Sequence, residues 1–377
     1  MFSIWEQESF LAQQDVVVAG SGFAGLWSAY HLKKDHPKLK ITVIERGLFP
    51  TGASTRNAGF ASFGSLSELL YDAKSMGADK MLQLVEQRYK GLQQIRKVFK
   101  SKSIDMELCG GYELYGSESP KKSELKQQME ELNPLLKDIT GKKTTFRLAD
   151  KKIKDFRFAG TKHVVKNEQE GCLHSGKLVS GLLRAVQSMG VMVLNGLQVT
   201  EFHPGGENIE GRTAQGVSLK THKLLICTNA FAKEMFPGLE VVAARGQVLL
   251  TSPIAGLQVK GTFHAEEGYY YFRNLGDRLM LGGARHKAFA EEATTDINTS
   301  PFIQEELERY LEEVVLPSYK GKYTIEQRWS GIMGMGPEKL PIIKQLAPNV
   351  FCAVALGGIG VAMAPVVGKR VSKLLVS

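Results

Sequence analysis

Residues 15–25 read D-V-V-V-A-G-S-G-F-A-G, an apolar run that ends in Gly20, Gly22 and Gly25, and an acid, Glu45, stands twenty positions beyond the last glycine. Residue types at this spacing suit one chemistry, the holding of a dinucleotide by its pyrophosphate. Gly20 allows a tight turn out of a strand, and Gly22 lets bare backbone reach the phosphates, with Phe23 and Ala24 beside it as further cofactor-binding candidates. Gly25 lets the following helix pack closely on the sheet. Unpaired amides and the positive end of the helix dipole then face the anion. Glu45 closes a second apolar run, 41–45, and its carboxylate can accept from ribose hydroxyls. A lone G-x-G-x-x-G is a weak signal. Here the preceding strand, a helix over 26–34, the next strand and the acid follow in order.

The elements that must position this site extend through the chain. At 377 residues two domains are expected. A helix pattern over 177–190 leads into a strand at 191–194, and nearly continuous apolar strands are read at 223–227, ending in Thr228 and Asn229, and at 350–355; such runs fit strands buried on both faces. Met81, Val85, Leu92, Ile95 and Phe99 mark one face of a long helix, and Ser119-Pro120 is read as the cap of another that carries Leu125, Met129 and Leu132. Residues 240–285 read as antiparallel hairpins, with strands at 241–251, 268–273 and 279–283 and a turn at 275–277. The expected fold is therefore α/β: a discontinuous Rossmann-like nucleotide domain (1–70, 168–235 and 328–377), and a second α+β substrate domain (71–167 and 236–327) on an antiparallel or mixed sheet.

Residues 346–368 carry no charge and precede Lys369-Arg370, which is the pattern of a membrane stop, but Gly357, Gly358, Gly360 and Pro365 break the run. A buried strand, a glycine turn and a packed helix are expected, with no membrane partner. No secretory signal is read at the start, and four cysteines without a C-x-x-C pair fit reduced thiols of a cytoplasmic protein. No metal cluster is expected. The net charge of +9 concentrates its lysines and arginines over 121–166, which reads as a solvated basic face.

Residues 52–60 (G-A-S-T-R-N-A-G-F), Arg245-Gly-Gln247, the Y-Y-Y-F-R hairpin ending at Gly283, the W-S-G closing at Gly331 and the G-G-I-G of 357–360 together resemble the D-amino-acid, glycine and sarcosine oxidase family of FAD-dependent oxidoreductases, over nearly the full length. The resemblance implies extended FAD, with its adenosine end near Gly20, Gly22, Gly25, Glu45 and Arg46, and the backbone of Val199 at the adenine. Ser54, Thr55, Arg56, Asn57, Ala58 and Gly59 would wrap the pyrophosphate and one flavin edge, beside Thr228, Asn229 and Gly331. Gly357, Gly358, Ile359, Gly360 and Val361 would bring a helix N-terminus to the pyrimidine side of the ring, where reduction develops negative charge. The implied activity is oxidation of a C–N bond in a small amine or amino acid by hydride transfer to flavin N5, followed by hydrolysis of the imine. Tyr271 matches the family's hairpin tyrosine as a pocket wall, and Tyr270 and Arg273 are its neighbouring catalytic candidates; strand alternation lets only one of the two tyrosines face the flavin.

Three positions depart from that pattern. Met333 replaces the arginine that holds a substrate carboxylate in glycine and D-amino-acid oxidases; Ala362 aligns with a carboxylate-holding lysine of sarcosine oxidase, and Met280 with the lysine it uses for oxygen. Arg273, Arg285 and His286 are the cations at hand to replace them. Gly331 stands where a covalent flavin cysteine would be, so dissociable FAD is expected, and the electron acceptor is left open between oxygen and another. Two other functions compete. Glu45 would serve NAD equally well in a nicotinamide dehydrogenase, and within the same family a domain oxidises carboxymethyl-amine groups on transfer RNA, a polyanionic carrier that the basic 121–166 segment would suit.

Overall fold

A computed structural model describes residues 1–205 and 207–376. Two sheets of eight strands and a two-stranded ribbon carry the fold. In the first sheet six strands run in the order Ile342–Ala347, Val350–Val354, Ser218–Ile226, Gln14–Ala19, Ile41–Glu45, Met192–Asn195, and off this path Asn208–Thr213 pairs antiparallel with Ser218–Ile226 and Val199–Gly205 with Asn208–Thr213. Gln14–Ala19 lies parallel between Ser218–Ile226 and Ile41–Glu45. Its unbroken apolar run follows from that placement: Val16 and Val18 point into a core shared with helices Phe23–Asp35 and Gly360–Val376, while Val17 and Ala19 point into a second core with Leu224 and Ile226. The uncharged 346–368 run resolves into the buried strand Val350–Val354, a short turn at Gly357–Ile359 and helix Gly360–Val376. No helix among the described residues is long and apolar enough to cross a membrane.

The second sheet runs Ile325–Met335, Val242–Thr251, Arg278–Gly283, Tyr270–Leu275, Thr262–Ala265, Gly111–Tyr115, His163–Asn167, Phe146–Leu148, and is antiparallel except where Thr262–Ala265 meets Gly111–Tyr115. One face is an apolar core. Phe263 and Phe272 stack with centroids 4.7 Å apart, and Tyr270 stacks on Tyr310 of helix Pro301–Tyr310 at 4.0 Å. The opposite face looks toward residues 53–60 of the nucleotide unit.

Several details differ from expectation. The boundary set at 328 falls inside strand Ile325–Met335, which pairs along its length with Val242–Thr251, so residues 328–335 extend the second sheet. Helix Ala78–Val98, assigned with the substrate domain, shares the core of helix Gly360–Val376, because its buried face, Met81, Val85, Leu92 and Ile95, has the same apolar neighbours. Phe99 ends that helix as its C-cap, with its ring 6.2 Å from Trp27. The helix after Pro120 is Lys122–Thr140, and its N-terminus is closed by the Glu124 carboxylate accepting from the Lys121 amide at 3.1 Å rather than by Ser119. All four cysteines are free, but Cys109 and Cys172, 63 residues apart, bring their sulfurs to 3.7 Å.

Candidate cofactor and substrate site

The two glycine stretches end at the same edge of the first sheet. Gln14–Ala19 runs into Gly20, and Val350–Val354 runs into Gly357 two strands away, with only Ser218–Ile226 between. Two strand spacings are about 10 Å, a gap a single dinucleotide bridges. At the first stretch Gly20 has φ 106°, and a Cβ on Gly25 would lie 1.9 Å from the Gly20 carbonyl oxygen, so the turn and the close helix need these residues. The Phe23 amide donates to Ser54 Oγ at 2.8 Å, tying the 53–60 segment to the helix N-terminus. Glu45 accepts from the Ser21 amide and hydroxyl at 3.1 and 2.7 Å and from the Gly47 amide at 3.0 Å, which fixes its carboxylate beside the turn. Arg46 stacks its guanidinium 3.9 Å from the Phe231 ring. The Leu197 amide donates to the Glu45 carbonyl at 2.9 Å, and Val199 opens the next strand.

Residues 53–59 hold their own shape. Asn57 Nδ2 donates to the carbonyls of Ala53 and Ser54, and Asn57 Oδ1 accepts from the Gly59 amide and Ser175 Oγ. Thr55 Oγ1 donates to the Pro50 carbonyl at 2.8 Å. The Arg56 guanidinium donates to Thr51 and Ser330, Trp329 Nε1 donates to the Arg56 carbonyl, and Gly331 lies against Arg56 Cβ. Asn229 bridges the far side: Oδ1 accepts from Ala355 at 3.3 Å and Nδ2 donates to Ile332 at 3.4 Å. Thr228 Oγ1 is buried with no partner among the described residues, and a Cβ on Gly357 or Gly358 would meet nothing within 4 Å. An orphaned hydroxyl beside Gly20 and open space beside the 357–360 turn both fit a nucleotide cofactor.

Across from residues 53–60, register aligns one row of the second sheet: Trp329, Val248, Gly282, Tyr271, His264 and Glu113. Tyr271 lies over Gly282, where a Cβ would come within 2.5 Å of its ring, and its hydroxyl reaches Gly246 beside Met333 Cε. Phe60 faces it at 6.2 Å and His264 at 5.0 Å. Burial pushes the Tyr271 phenol up to about 12 against the pull of Arg285, and burial holds His264 down at about 4 despite Glu68. Both are therefore neutral near pH 7. Val361 lies in the first turn of helix Gly360–Val376 and Ile359 in the turn before it.

The other two catalytic candidates are placed differently. Tyr270 turns to the opposite, apolar face of the sheet. Arg273 is on the Tyr271 face but is buried, and its Nη1 donates to the carbonyls of Leu173, Gly59 and Ala58 at 2.9, 3.1 and 3.4 Å. Arg285 is half-buried and lies 4.7 Å from the Phe289 ring, and its guanidinium has no hydrogen bond or salt bridge among the described residues. His286 pairs with Glu266 at 3.1 Å. His264, absent from the sequence-based candidates, is a lone histidine whose face is set by pairing with Tyr271; only the register of strand Thr262–Ala265 exposes it.

A nucleotide turn, a second glycine turn two strands away and a mostly antiparallel sheet facing residues 53–60 define a two-sheet dinucleotide-binding fold. Residues 15–374 match the family model described as "FAD dependent oxidoreductase" (DAO), and the chain belongs to that family. Its cofactor is FAD, which removes the nicotinamide alternative. The chain is 24% identical to gamma-glutamylputrescine oxidoreductase of Escherichia coli (strain K12) over 96% of its own length and 83% of that protein. Its fold is similar to L-proline dehydrogenase from P. horikoshii, with TM-score 0.77, 17% identity and coverage of 96% of this chain and 93% of that one. Glycine oxidase from Geobacillus kaustophilus superposes with TM-score 0.76 at 19% identity, covering 96% and 94% of the two chains.

Proposed function

We propose that this protein oxidises the C–N bond of a small amine or amino acid, with FAD held non-covalently. One observation carries the reading: both glycine stretches end at one sheet edge, and the Tyr271 row lies across residues 53–60. The relatives named above, an oxidoreductase of gamma-glutamylputrescine, a dehydrogenase of L-proline and an oxidase of glycine, support it. FAD supplies a two-electron acceptor for the C–H beside an amine nitrogen, leaving an imine that water hydrolyses. In this reading Gly20 and Gly22 with Thr228 would cradle the pyrophosphate, Gly25 would keep the helix close behind the turn, Glu45 would hold the ribose, and Val199 would back the adenine. Residues 54–59 and 357–361 would hold the ring end, where the first-turn amides of helix Gly360–Val376 would offer positive dipole to charge on the ring.

Tyr271 contributes a neutral hydroxyl at the pocket floor, and His264 a neutral imidazole that does not protonate the substrate amine near pH 7. Arg285, whose guanidinium forms no salt bridge among the described residues, is the group to meet an anionic substituent. Arg273 positions the 58–59 backbone, and Tyr270 supports the sheet from behind. The tRNA-linked reading has less support, since Lys122, Lys152 and Lys166 of the basic segment pair with Asp150, Asp155 and Glu168. A cytoplasmic location accords with the free cysteines.

The test is optical. Purified protein should be yellow, release its flavin on acid precipitation, and bleach anaerobically with a member of a secondary-amine and amino-acid panel. Gly25→Val should yield protein without flavin. A colourless wild type, or flavin that no amine reduces, overturns the reading.

A further inference from the structure

Cys109 and Cys172 form a pair that the proposed chemistry does not use. Cys172 is in the ribbon strand that pairs with Phe60–Ala61, and Glu107 exchanges both backbone hydrogen bonds with it at 2.9 Å. That pairing brings Cys109 alongside, so its thiol donates to the Cys172 sulfur at 3.7 Å. Cys109 is half-exposed and lines a cleft of about 500 Å³ with Glu107, Tyr112, Lys152 and Lys260, on the side of the second sheet away from Tyr271. Cys172 sits behind it, within reach of the Arg273 guanidinium. The hydrogen bond from Cys109 and the Arg273 charge hold Cys172 down at about 7, whereas burial holds Cys227 and Cys352 up. One sulfur is thus biased toward thiolate, and its partner is a protonated thiol at the cleft.

We propose that Cys109 and Cys172 are a peroxide-responsive pair that closes to a disulfide in the folded protein. The Cys172 thiolate attacks one oxygen of hydrogen peroxide. The O–O bond breaks, hydroxide leaves, and Cys172 becomes a sulfenic acid. The Cys109 sulfur then displaces the sulfenic oxygen, which leaves as water, and the S–S bond forms. Two thiols lose two electrons and two protons, and one peroxide becomes two waters. The bond fastens residues 107–110 to the strand whose next residue, Leu173, donates to the Gly59 carbonyl at 2.8 Å and accepts from Arg273, so it acts on the support of the 58–59 backbone.

The experiment exposes native, FAD-loaded protein to stoichiometric peroxide, blocks remaining thiols and maps peptides by mass spectrometry. Free thiols should fall from four to two, with a peptide joining Cys109 to Cys172 that dithiothreitol reverses and Cys227 and Cys352 still reduced. C109S should leave Cys172 as a sulfenic acid captured by dimedone, and C172S should slow oxidation of Cys109 by about tenfold or more. Four thiols remaining after exposure, Cys227 or Cys352 oxidising first, or C172S oxidising at the wild-type rate would each overturn the proposal. None of these readouts depends on amine turnover, so this inference and the proposed activity can fail separately.

Discussion

The two faces of the second sheet differ although they are built from alternating residues of the same strands. Tyr270, Phe272, Phe263, Leu281 and Leu249 turn one way into a dry core closed by helix Pro301–Tyr310, where packing is the dominant contribution. Tyr271, Arg273, His264, Glu113 and the flat patch at Gly282 turn the other way, toward residues 53–60. Burial displaces the titrations of the second face: His264 down to about 4, Glu113 upward, and neighbouring Glu170, which accepts from Ser62, Phe63 and Gly64, up to about 7. Buried polar groups with displaced titrations are the reason we assign the substrate to this face.

The sharpest way to break this comparison is at the adjacent tyrosines. Tyr270→Ala should cost about 3–5 kcal/mol in chemical denaturation while anaerobic reduction rates stay within twofold of wild type. If it abolished reduction without destabilising the fold, the roles of the faces would be reversed.

Next in size is a pair of opposed pH dependences. Glu170 has a raised folded-state pKa, so its contribution is fully present below about 4.5 and is lost as pH rises to about 7. His264 has a lowered one, so its contribution is present above 6.5 and is lost as pH falls to about 4. Each shift is worth about 3 kcal/mol, and in wild type the two slopes largely cancel between pH 4.5 and 6.5. Glu170→Gln should therefore lose stability as pH falls through that window, and His264→Asn should gain it. Parallel slopes in the two variants would refute the assignment.

Arg273→Met should cost about 1–3 kcal/mol, because three buried carbonyls lose their shared donor, and it should also weaken FAD retention on dialysis. Retention unchanged would mean that Arg273 does not position the 58–59 backbone. The smallest effect belongs to Tyr271→Phe. We expect about a tenfold fall in kcat/KM with less than about 0.5 kcal/mol of stability lost, since the hydroxyl makes no hydrogen bond among the described residues. Equal kinetics would remove Tyr271 from the substrate pocket.

The glycine turn and central strands of the nucleotide half were legible because their signals are local, whereas the placement of helix Ala78–Val98 in their core was not. Gly20, Gly22 and Gly25 announce a turn that any neighbourhood would require, and Val16 to Val18 announce a strand buried on both sides. Period-two alternation likewise told that Tyr270 and Tyr271 part company, but not which one meets the cofactor layer. That choice, the recruitment of His264 and Glu113 into the Tyr271 row, and the passage of strand Ile325–Met335 into the second sheet all depend on pairing between segments far apart in the chain. So does the use of Arg273, which spans to Gly59 and Leu173, and so does the meeting of Cys109 with Cys172. Short-range sterics and periodicity settle backbone conformation within a few residues. Register and facing are settled only when distant strands compete for the same hydrogen bonds and the same buried volume.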